Sequence, residues 1–70
     1  LSPVDGYLSR GHIDEYFKRY AAAEQQYKKA ILVGGSKTSY QKLASLYKNK
    51  MRDPEKAKTI LETYNKKIQD

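Results

Sequence analysis

His12, with Asp14 and Glu15 just after it, is the first group in this chain with chemistry to offer, because an imidazole oriented by a carboxylate is a general base. It is the only histidine, and there is no cysteine. A base of this kind needs a nucleophile within reach, and a closed zinc site needs several imidazole or thiolate ligands. The sequence supplies neither, and Asp14 and Glu15 are accounted for as first-turn charges of a helix beginning at Ile13. Gly34-Gly35-Ser36-Lys37-Thr38 looks like the end of a phosphate-binding loop. The motif G-x-x-x-x-G-K-[ST] is not met, since Ala30 stands where the first glycine counted back from Gly35 would be, and no strand precedes it. We read it as a turn between helices. No catalytic, cofactor-binding or metal-ligating residue is assigned, and the chain is not expected to be an enzyme.

Two further groups have binding chemistry. Lys48-x-Lys50-x-Arg52 places three cations where they would meet phosphates, but cations also suit the C-terminal end of a helix. Seven tyrosines stand against one phenylalanine. Exposed, they would be a stacking platform for bases. Tyr16, Tyr20, Tyr27, Tyr40, Tyr47 and Tyr64 all fall on apolar helical stripes, however, where a ring can be buried with its hydroxyl at the surface. The reading favoured for both groups is structural. The 14 Lys and Arg against 8 Asp and Glu, a net charge of +6, favour acidic partners in a general way.

Positioning these residues falls to helices, since no stretch alternates with period two. Ser2-Pro3, Gly6 and Gly11 mark residues 1–12 as loop or the frayed end of a preceding helix. From Ile13, apolar residues recur at helical spacing through Phe17, Tyr20, Tyr27 and Ile31, predicting one helix over 13–33. Gly34-Gly35 ends it. A second helix is predicted over 37–50, opened by a Thr38-x-x-Gln41 capping box or by Ser36. Its stripe is Tyr40, Leu43, Ala44, Tyr47 and Met51. Asp53 as cap, Pro54 at the first position and Glu55 in the first turn open a third helix over 54–68. The longest apolar run, Ala30 to Val33, is too short to span a membrane. The start at Leu1 rather than Met predicts an excised fragment or a processed product.

The stripes resemble those of the tetratricopeptide and related Sel-like helical repeats, helix pairs of about thirty-four residues. Tyr40, Leu43, Ala44 and Tyr47 match the first helix of such a repeat. Ala57, Leu61 and Tyr64 stand at the small, aromatic and small positions of the second. The turn Lys48 to Lys56 is one residue longer than the common repeat. Upstream, two registers are open: Ala23, Tyr27 and Ala30, or Tyr16, Tyr20 and Ala23, as the second-helix positions. In either, the first-helix partner is degenerate or absent.

The resemblance implies an all-α, three-helix antiparallel array of one and a half tetratricopeptide-like repeats, acting as a protein–protein interaction module. The expected partner is a protein or peptide, or further repeats. Self-association of the chain is possible, and nucleic acid or another polyanion is the alternative partner. In this family ligands lie along the first helices, which points to Gln41, Ser45, Lys48 and Asn49. Ser45 departs from the Asn and Lys that carboxylate-clamping members use. A bulky Tyr64 where a small residue is usual suggests that the array ends there.

Overall fold

A computed structural model describes residues 2–69. It contains four helices and no strand among those residues: α1 (Pro3–Tyr16), α2 (Tyr20–Val33), α3 (Lys37–Ser45) and α4 (Pro54–Gln69). The all-α expectation holds, but the three-helix arrangement is corrected to four helices in two hairpins. Residues 1–12, expected to be loop or frayed end, form most of α1. The single helix expected over 13–33 is interrupted.

Local chemistry accounts for both differences. Ser2 caps α1, its hydroxyl accepting from the Val4 amide at 3.2 Å, with Pro3 at the first helical position and Asp5 in the first turn. Gly11 is one reason α1 can lie where it does. It is buried, and a Cβ added to it would sit only 2.7 Å from Cδ1 and 2.9 Å from Cζ of Tyr27 on α2. The glycine that reads as a helix breaker is a close-approach residue. After Tyr16 the chain turns through Lys18, whose φ is 61°. Lys18 N–H donates to the Glu15 carbonyl at 2.9 Å and Arg19 N–H to that of Asp14 at 2.7 Å. This pair of bonds, with a left-handed residue beyond the cap, closes a helix C-terminus. Glycine usually signals such a stop, and lysine concealed it.

The remaining boundaries follow the predicted signals more closely. Gly35, with φ of 56°, turns the chain between α2 and α3. Ser36, rather than Thr38, caps α3 and accepts from the Ser39 amide at 3.2 Å. Asp53 caps α4, its Oδ1 accepting from the Lys56 amide at 3.1 Å. Between them, α3 passes into a π-helical turn at Leu46–Lys50. There the backbone bonds lengthen in sequence: Met51 N–H reaches the Leu46 carbonyl at 2.9 Å, and Asp53 N–H that of Tyr47 at 2.7 Å.

Consecutive helices run antiparallel. Val4 at the start of α1 lies against Gly34 at the end of α2. Tyr40 at the start of α3 packs on Tyr64 near the end of α4, with ring centroids 5.1 Å apart. Ala23, Tyr27, Leu43, Ala44, Leu46, Tyr47 and Ala57 form the buried cluster, with Leu8, Tyr20, Ile31, Met51 and Ile60 packed against it. Ala44 and Ala57 are both buried in this cluster. In the first hairpin Ala23, Tyr27 and Ala30 each have no exposed surface, Tyr20 packs against the buried cluster, and Tyr16 is 79 % exposed.

Candidate partner-binding face

The π turn shapes an exposed face of the second hairpin. From Gly11 to Ala23 is twelve residues, and from Ala44 to Ala57 is thirteen. The second hairpin thus carries one residue more, and the wider rings of Leu46–Lys50 take it up within the helix rather than in the turn. Leu46 and Tyr47 stay buried while Lys48, Asn49 and Lys50 stay in solvent. All four residues assigned from the sequence, Gln41, Ser45, Lys48 and Asn49, are exposed. They lie on the side of α3 and its π turn opposite the buried Tyr40, Leu43, Ala44 and Tyr47. Asn49 donates its side-chain N–H to Ser45 Oγ at 3.1 Å, which fixes the orientation of that amide.

The structure adds neighbours from α1 that the sequence reading could not supply. His12, Glu15 and Tyr16 line a cleft of about 230 Å³ with Lys50. An exposed aromatic ring, an imidazole and an ammonium thus border the α3 face. Tyr16 meets Phe17 edge-on at 5.1 Å, and the Arg19 guanidinium sits 5.0 Å from the Phe17 ring centre. Arg19 also pairs with Asp14 at 3.4 Å. Lys48, Lys50 and Arg52 have no carboxylate within ion-pair distance among the described residues, so their charge is directed to solvent.

A second polar constellation is internal and serves cohesion. Tyr47 donates its hydroxyl to Glu24 on α2 at 2.7 Å, and Lys28 stands 3.3 Å from the same carboxylate. The Tyr47 bond holds the Glu24 carboxyl below its usual range, with Lys28 assisting and burial opposing. Burial, and after it the bond to Glu24, pushes the Tyr47 hydroxyl well above its ordinary value. Tyr27 repeats the device. Its hydroxyl donates to Glu15 on α1 and is likewise raised, first by burial and then by Glu15. Both of these tyrosines are bonded to a glutamate of the preceding helix.

Among the described residues no three His, Cys, Asp or Glu side chains gather as a metal site requires. No helix of theirs is long and apolar enough to cross a membrane. A shallow trough of about 440 Å³ runs along α4, lined by Thr59, Glu62, Thr63, Asn65, Lys66 and Gln69. Its ionisable groups are one carboxylate, Glu62, and one ammonium, Lys66. No family model matches the chain, and comparison with curated proteins and with solved structures gives no match either.

Proposed function

We propose that the chain is a protein–protein interaction module built on the plan of tetratricopeptide-like repeats. It offers a partner peptide or helix the face of α3 that carries Gln41, Ser45, Lys48 and Asn49. One observation supports this reading: each hairpin sets a small, buried residue in its first helix and a small, buried residue in its second. Gly11 and Ala44 are the small residues of the first helices. Ala23, Tyr27 and Ala30 in α2 recur thirty-four residues later as Ala57, Leu61 and Tyr64 in α4. A chain that spends its small residues on stacking hairpins leaves its first-helix faces to a ligand.

Selection of peptides against the full chain, followed by amide chemical-shift mapping, tests the reading. The shifts should centre on Gln41, Ser45, Lys48 and Asn49 and extend to His12 and Tyr16. Ser45→Glu and Lys48→Glu should each weaken a selected peptide about tenfold or more without changing the melting temperature. Peptides that bind with shifts confined to α4 would overturn it. Polyanion binding is the second reading, favoured by the unpaired Lys48, Lys50 and Arg52. It predicts saturable binding of single-stranded nucleic acid that falls steeply with salt and is lost when those three are neutralised.

A further inference from the structure

The likeness between the two hairpins has a geometric corollary at the two ends of the array. Counting from Gly11 to Ala44, each α1 residue corresponds to one thirty-three places later. Counting from Ala23 to Ala57, each α2 residue corresponds to one thirty-four places later. The second hairpin meets the first chiefly where α3 and its π turn lie against α2. The two halves of that junction therefore recur unpaired: the α3 half on α1, the α2 half on α4.

The exposed surface follows this correspondence. Ser39, Leu43 and Leu46 are buried, at 0, 0 and 1 % exposure. Their counterparts Gly6, Arg10 and Ile13 lie on one strip of α1, and Ile13 is 51 % exposed. At the other end, Tyr27 has no exposed surface while its counterpart Leu61 is 41 % exposed and Ile68, further along the strip, 61 %. On the α1 side Gly6 replaces Ser39, with nothing within 4 Å of where its Cβ would be. Charge agrees. The Tyr47–Glu24 bond across the internal junction corresponds to Asp14 on α1, which also pairs with Arg19 of its own chain at 3.4 Å, and Lys58 on α4, opposite charges. Over whole helices, α1 is net acidic and α4 net basic.

We propose that a second copy of this chain docks its α1 strip on the α4 strip of the first, reproducing the α2–α3 junction between molecules. The contact is heterologous, so it leaves one free strip at each end and builds an open array rather than a closed dimer. This rests on the repeat reading of the two hairpins. Sedimentation velocity of the 70-residue chain over a hundredfold concentration range should show species that grow past the dimer. Ile13→Glu and Leu61→Glu should each remain monomeric, and an equimolar mixture of the two should stop at the dimer, since one free strip survives on each. Asp14→Lys should weaken association about tenfold, and Asp14→Lys with Lys58→Asp in one chain should restore it, with circular dichroism establishing that each variant is folded. A wild-type chain that stays monomeric throughout, an Ile13→Glu chain that associates as wild type, or a mixture that stays monomeric would each overturn the proposal. Should Ile13→Glu fail to fold, the charge exchange decides, and failure of rescue counts against it. The repeat reading is tested separately. Ala44→Leu acts inside one molecule, so a large loss of stability there with no association removes the stacking alone.

Discussion

Tyr47 shows how much one side chain is asked to do. Its ring fills the core where both hairpins meet, its hydroxyl is held by Glu24, and the Lys56 ammonium lies 5.7 Å from its ring centre. Removing the hydroxyl keeps the ring but leaves Glu24 without its principal donor. Tyr47→Phe should therefore cost about 1–2 kcal/mol, read from urea midpoints at pH 7. The same pair sets a pH dependence. The folded state lowers the Glu24 pKa, so its contribution is present above the ordinary glutamate value near 4.3 and is lost as pH falls below it. Tyr27 and Tyr47 are raised, so their contribution is complete below about pH 10 and declines as pH climbs further. Between pH 5 and 3 the Tyr47→Phe chain should lose less stability than the wild type. Equal losses would show that the Glu24 bond has no part in acid unfolding.

At the scale of the element, the glycines of α1 separate local propensity from packing. Gly6 and Gly11 share one helix and carry the same intrinsic cost there, about 1 kcal/mol relative to alanine. Gly6 has free space around its missing Cβ, and Gly11 faces the Tyr27 ring. Gly6→Ala should raise the melting temperature. Gly11→Ala should lower it, because an overlap of about 1–3 kcal/mol outweighs the helical gain. Two increases would mean that α1 does not lie against Tyr27. The pair also explains what the sequence made legible. α4 was readable to within a residue, because Asp53-Pro54 is a purely local signal and its stripe is regular. α1 was not, since a glycine required by a distant ring looks the same as one that loosens the chain. The stop at Lys18 was hidden because left-handed geometry was imposed on a residue type that does not advertise it. For the candidate face, exposure of Gln41, Ser45, Lys48 and Asn49 followed from the stripe opposite them. The nearness of His12 and Tyr16 to Lys50 depends on α1 and could not be read.

As a whole the molecule is a slab. Its Cα extents are 36 × 32 × 13 Å, with a radius of gyration of 11.4 Å. Its accessible surface of 4980 Å² exceeds the roughly 4500 Å² of a compact monomer of its mass. Helices laid side by side to this thickness have neighbours but little depth, so the outer two keep apolar side chains in water. Ile13 on α1 and Leu61 and Ile68 on α4 are exposed for that reason. The same flatness gives the α1 and α3 faces to solvent along much of their length, which is how a thin layer of helices can bind without a deep pocket.

In such a layer, phase matters more than length. The surplus residue in Leu46–Lys50 makes that turn the one stretch where the chain can be shortened without rotating the helix beyond it. Deleting Asn49 should let the backbone tighten to ordinary helical pitch while Asp53 still opens α4, leaving a folded chain by circular dichroism and a cooperative melt. Deleting Ala22 from α2 would instead swing one part of that helix by about 100° relative to the other, taking either Tyr20 or Tyr27 off the core, and should abolish cooperative unfolding. A sequence length that looks like an error in a repeat is thus stored as a change in hydrogen-bond ring size, and can be withdrawn there without loss of the hairpin.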